Sequence, residues 1–183
     1  VYSAFRGNQA ANGGGVCLSG SFSGGIRGLN GDAHFDSNTA GGQGGACMWP
    51  ELSAATQRQL FADNKAGNHG GGLYVGGDFT GSLADYAFFI RNSAGYQTGV
   101  GIYLDNGGIV GTAFARNSAL QGGGGAVYAG SVRNGIANVD FSENVAGLRG
   151  GGVYLGADGR ISAVSSSNVV WSLFKSISVC HSS

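Results

Sequence analysis

Residues 141 to 155, FSENVAGLRGGGVYL, restate residues 61 to 75, FADNKAGNHGGGLYV, with only the variable positions changed. A repeat of this kind constrains the fold more than any local signal. A unit too short to bury its own apolar face can bury it only against the next unit, so the chain must stack. The first half of the unit, Phe-x-x-Asn-x-Ala, occurs six times: Phe5 to Asn8 with Ala10, Phe35 to Asn38 with Ala40, Phe61 to Asn64 with Ala66, Phe89 to Asn92 with Ala94, Phe114 to Asn117 with Ala119, and Phe141 to Asn144 with Ala146. The asparagines fall about 25 to 30 residues apart, a period loose in length, as when insertions enter the loops of a fixed scaffold. The second half is a glycine run and a triplet: Val16-Cys17-Leu18, Ala46-Cys47-Met48, Leu73-Tyr74-Val75, Ile102-Tyr103-Leu104, Val127-Tyr128-Ala129 and Val153-Tyr154-Leu155.

Alternation along a strand sends the first and third residues of each triplet to one face and the middle residue to the other, so the aliphatic pair points inward. Ile109-x-x-Thr112-x-Phe114 and Ile136-x-x-Val139-x-Phe141 supply further inward positions. Each repeat then holds about three short strands, joined through a full turn of chain to their equivalents in the next repeat. Such strands run parallel, and parallel crossovers are right-handed. The expected fold is all-β: a right-handed parallel β-helix of about six to seven coils of 25–30 residues. It would span residues 1–168, with a decayed last coil at Ile161, Val164 and Asn168, followed by an apolar non-repeat tail over 169–183 that caps the stack or meets a partner. Phe35, Phe61, Phe89, Phe114 and Phe141 should stack inside, the asparagine amides should bond to those above and below, and the glycines should form the corners. Pro50 to Leu60 departs from the pattern: proline at a first turn followed by good helix formers predicts a short helix or turn replacing a strand. Leucine-rich and ankyrin spacings are absent.

Composition agrees with a stack. Glycine supplies 38 residues and proline one, while 42% of the chain is apolar and only 11% charged. Collagen and disordered linkers are thereby excluded, since the first needs proline and the second has too little apolar surface to bury. Zero net charge without a basic cluster argues against nucleic acid and anionic membranes as partners. No apolar run reaches the roughly 18 residues of a membrane span. The chain opens inside a repeat, at Val-Tyr-Ser-Ala-Phe, which reads as a segment of a longer or processed chain.

The middle triplet residues form an outward row, Cys17, Cys47, Tyr74, Tyr103, Tyr128 and Tyr154, beside a row of Gly15, Gly45, Gly72, Gly101, Ala126 and Gly152. An aromatic stripe next to a side-chain-free shelf suits a glycan or a flat protein partner, and it equally suits a self-sufficient ladder that stabilises the coil. Cys17 and Cys47, placed in register about 4.8 Å apart, are within disulfide reach; two reduced thiols are the alternative. A bridge would fit an oxidising, extracellular setting. Asp63 with Arg91, and Arg116 with Glu143, should pair across coils at an exposed edge. Asp32 and His34 form the best local polar pair, with a hydrated turn as the plain reading. Ten acidic residues scattered singly give no catalytic carboxylate cluster and no metal site, and no cofactor motif is present. Calcium nonapeptides, a Thr-x-Thr stripe and Asn-x-Ser/Thr sequons are absent as well.

Paired Phe-x-x-Asn and Gly-Gly-apolar motifs at this interval, over about residues 5 to 155, resemble the repeats of the chlamydial polymorphic outer membrane protein family. The resemblance implies an extracellular β-helical passenger displayed at a cell surface for adhesion. Similar repeats occur in other surface and extracellular proteins, including those of algae. The expectation is a non-catalytic extracellular or cell-surface structural or adhesion module, a segment of a surface filament among its forms, whose tyrosine face meets a glycan or a neighbouring protein subunit. The alternative is a polysaccharide-binding or polysaccharide-degrading β-helix enzyme of the pectate-lyase type, since the fold itself admits catalysis.

Overall fold

The computed structural model describes residues 3–18, 33–49, 56–57, 59–76, 82–84, 87–95, 100–104, 108–129, 136–137, 139–148 and 150–155. Within them the chain is all-β, and every strand pairs in parallel with its equivalent in the adjacent repeat. A phenylalanine sheet joins Ser3–Arg6, Ala33–Asp36, Gln59–Ala62, Ala87–Ile90, Thr112–Ala115 and Asp140–Ser142. An alanine sheet joins Gln9–Ala10, Thr39–Ala40, Lys65–Ala66, Ser93–Ala94, Ser118–Ala119 and Val145–Ala146. A tyrosine sheet joins Val16–Cys17, Cys47–Trp49, Leu73–Val75, Ile102–Leu104, Val127–Ala129 and Val153–Leu155. A shorter fourth sheet joins Thr56–Gln57, Ser82–Ala84, Gly108–Val110 and Ile136–Ala137. The result is a parallel β-solenoid. The last coil and tail expected beyond residue 155 lie outside the described residues.

The interior follows from register. Phe5, Phe35, Phe61, Phe89, Phe114 and Phe141 are Cα partners in turn. Their rings stack nearly parallel, with centroids 4.9, 4.9, 4.6, 4.9 and 5.4 Å apart. All but Phe5 are buried. Stacking offset rings contributes about 0.5–1.5 kcal/mol per pair beyond the burial itself. A second, smaller core gathers Ala66, Ala94, Ala119 and Val100, with Ala146 packed against it. In the middle repeats the sixth residue of the motif thus fills a narrow corner, which suits alanine.

The asparagines run parallel to the rings. Asn64 is fully buried, and its Oδ1 accepts both the backbone N–H and the Nδ2–H of Asn38, each at 3.0 Å. Its Nδ2 donates to Asn92 Oδ1 and to the Phe35 carbonyl, each at 2.9 Å. Asn38, Asn92 and Asn117 repeat the same four bonds. Both amide hydrogens and both acceptor sites are thus used, which is what makes a buried polar side chain tolerable. The residue before each asparagine turns the amide inward by adopting a left-handed conformation: Ser37, Asp63, Arg91, Arg116 and Glu143 have φ between 52 and 56°, and Gly7 has φ 63°. Non-glycine residues accept that conformation at a steric cost.

The short helix or turn expected over Pro50 to Leu60 is not found where that stretch is described. Thr56–Gln57 and Gln59–Ala62 are strands, and residues 50–55 and 58 lie outside the described set. Pairing of Gln59 and Leu60 with Ala33 and His34 on one side, and of Leu60 with Phe88 on the other, outweighs local helix propensity.

Candidate functional site

Among the described residues, the tyrosine sheet carries a recurrent aromatic position in register across successive repeats. Leu73 and Val75 are buried while Tyr74 between them is half-buried, and Val127, Tyr128 and Ala129 repeat the pattern. Register aligns Tyr74 with Tyr103, Tyr103 with Tyr128, and Tyr128 with Tyr154. The rings of Tyr128 and Tyr154 lie 5.1 Å apart at 32°, so each partly covers the face of the other. Tyr74 meets His69, 6.0 Å away at the same tilt. Burial lowers the His69 pKa from its ordinary value, because the charged imidazolium loses hydration there.

Below Tyr74 the row differs from expectation. Cys47 pairs in register with Leu73 and Val16, not with Tyr74 and Cys17. It is fully buried, and Met48 takes the outward position, aligned with Cys17 and Tyr74. The expected Cys17–Cys47 disulfide is therefore corrected: Cys17 is exposed, Cys47 is in the core, and both are free. A one-residue offset flips a side chain to the opposite face. The second repeat reads Gly44-Gly45-Ala46, so Ala46 occupies the place of a third glycine rather than opening the triplet. Burial raises the Cys47 pKa well above that of an ordinary thiol.

The glycine shelf is corrected too. A Cβ on Gly72 would lie 2.9 Å from Phe89 Cδ1, and one on Gly101 would lie 2.7 Å from Phe114 Cδ1. Gly72, Gly101, Ala46 and Ala126 are buried, facing the phenylalanine stack. The cause is a bulge at the corner. Gly15 and Val16 N–H groups both donate to the Ala46 carbonyl, Ala46 and Cys47 to that of Gly72, and Ala126 and Val127 to that of Gly152. Two residues against one reset the in-out alternation, which simple counting from the tyrosine does not reveal. The tyrosines consequently stand beside no bare shelf.

The two expected ion pairs form. Arg91 Nε and Nη2 donate to the two Asp63 carboxylate oxygens at 2.7 and 2.6 Å, and Arg116 Nε donates to Glu143 Oε2 at 2.7 Å. These hydrogen bonds raise both arginine pKa values further. Their exposure limits their worth, and the same left-handed turn that aims the asparagines inward aims these side chains outward. Arg6 approaches Asp36 at 3.9 Å, a pair that sequence reading missed. His34 is half-buried in the phenylalanine sheet, and Asp32 lies outside the described residues. Among the described residues no three His, Cys, Asp or Glu side chains gather to hold a metal ion, and no helix is long and apolar enough to cross a membrane. Compared with known proteins, the chain matches no protein-family model, no curated protein and no solved structure.

Proposed function

We propose that this chain is a non-catalytic extracellular or cell-surface structural or adhesion module: a right-handed β-helix of six to seven coils that presents its tyrosine row to a glycan or a neighbouring protein subunit. The observation that carries this reading is the division of labour within each repeat. The recurrent polar residue, asparagine, spends its whole hydrogen-bonding capacity on the asparagines and phenylalanine carbonyls of adjacent repeats. The recurrent outward residue is a tyrosine, which offers area and a hydroxyl at little entropic cost. Resemblance to the polymorphic outer membrane protein repeats supports the same reading. Because Tyr128 and Tyr154 partly cover each other's faces, contact along ring edges is favoured over a sugar ring stacked on an aromatic plane.

Replacing Tyr103 and Tyr128 together with serine tests this. The expected outcome is weakened glycan retention or weakened self-association, with the β-rich circular dichroism unchanged. Loss of folding without a separable binding defect would favour a purely stabilising ladder. Turnover of a polysaccharide, abolished by a single Asp substitution, would replace the proposal with the enzyme reading.

A further inference from the structure

The register of the tyrosine sheet has a chemical as well as a geometric regularity. Along its register, Cys17, Met48, Tyr74, Tyr103, Tyr128 and Tyr154 are each aligned with the next. Every member is an oxidisable side chain. The row takes the only methionine of the chain and four of its seven tyrosines. The inward stack one sheet away uses phenylalanine, which lacks the phenol that one-electron oxidants attack. Cys17 is exposed, and Met48, Tyr74, Tyr128 and Tyr154 are partly so, which leaves the row open to a diffusible oxidant.

From this we infer that Tyr128 and Tyr154 form an oxidative cross-linking site, a dityrosine staple between consecutive repeats. Coupling of two tyrosyl radicals within one chain is favoured where the rings already lie side by side, because it then competes with diffusional coupling between chains. The ladder supplies this: the backbones are paired in parallel register and the ring centroids are 5.1 Å apart. The oxidant is hydrogen peroxide acting through a one-electron haem peroxidase. Each phenol gives up one electron and its hydroxyl proton. The two radicals join at a ring carbon ortho to oxygen, one Cε from each, and the hydrogen on each bonded carbon then moves to the phenoxyl oxygen, restoring two phenols. One carbon–carbon bond forms, two hydrogens leave the protein, and one hydrogen peroxide becomes two waters. The site goes beyond the partner-binding reading and does not rest on it, because both coupled tyrosines belong to one chain and no bound glycan or subunit takes part.

The staple would close a loop through one whole repeat and so restrict the unfolded chain, as any covalent cross-link does. The test treats the dilute, monomeric 183-residue protein with hydrogen peroxide and a haem peroxidase, then maps the products by peptide mass spectrometry and dityrosine fluorescence. The expected result is an intramolecular link between the peptides holding Tyr128 and Tyr154, two hydrogens lighter than their sum, and a raised thermal midpoint. Tyr154→Phe keeps the ring stack but removes the phenol, so it should lower the dityrosine yield severalfold while circular dichroism stays the same. Unfolding the wild type in urea before oxidation should lower the yield likewise. Links spread evenly over Tyr2, Tyr86 and Tyr96, links only between chains, or an undiminished yield from Tyr154→Phe would overturn the inference.

Discussion

Asn64 shows what a single side chain does here. Removing it by Asn64→Ala leaves the Asn38 backbone N–H, the Asn38 Nδ2 and the Phe35 carbonyl without their partner in a buried site. Each stranded group costs about 1–3 kcal/mol, so the variant should lose several kcal/mol of unfolding free energy in urea titrations. Asn64→Asp is the sharper test. The carboxylate would turn an acceptor toward the Phe35 carbonyl and Asn92 Oδ1, where the amide now donates. The folded state would therefore favour the protonated acid and raise its pKa above the unfolded value. Sign follows from linkage: the folded variant binds more protons than the unfolded one, so its stability should fall as pH rises from the unfolded pKa through the folded one. A variant whose stability is flat across that range would contradict the ladder. Sequence reading reached the asparagine ladder because recurrence of one amide at one position has few other causes. It did not reach the left-handed residue before each asparagine, because Ser37, Asp63, Arg91, Arg116 and Glu143 share no chemistry that marks a positive φ. Only Gly7, in the first repeat, carries that signal.

Among the elements, the tyrosine strands separate what is legible from what is not. Leucine, isoleucine and valine flanking Tyr74, Tyr103 and Tyr154 make those strands readable by alternation alone. Ala46-Cys47-Met48 is unreadable on the same rule, since all three residues suit either face and the bulge shifts the count by one. The consequence can be measured with a thiol reagent. In a Cys180→Ser background, Cys17 should react in the native protein, whereas Cys47, buried and held in its protonated form, should react only at the rate of unfolding. Equal native reactivity, or a bridge between the two, would show that the register of Cys47–Trp49 is wrong. The same reasoning separates the helix expected at Pro50 to Leu60 from the strands that replace part of it: propensity is local, but the ladder partners of Gln59 and Leu60 are a whole repeat away.

For the molecule as a whole, each described strand pairs with its equivalents in the repeats before and after it, so stability is shared along a line rather than around a centre. Amide hydrogen exchange should report this as a gradient. Strands Gln59–Ala62 and Ala87–Ile90, with neighbours on both sides and with Phe61 and Phe89 fully buried, should be the slowest to exchange. Ser3–Arg6, paired on one side and largely exposed, should exchange many times faster. Uniform protection across all six strands of the phenylalanine sheet would instead mean one cooperative unit. The asparagine amides add a direction to this line. From Asn8 to Asn117 each Nδ2 points its ladder hydrogen toward the later repeat, and from Asn38 to Asn144 each Oδ1 looks back to the earlier one. A unit inserted in the same orientation would meet its two neighbours with the contacts they already make. The gene could thus lengthen or shorten by duplicating or deleting whole repeats without inventing an interface, and an inverted unit would find donor facing donor.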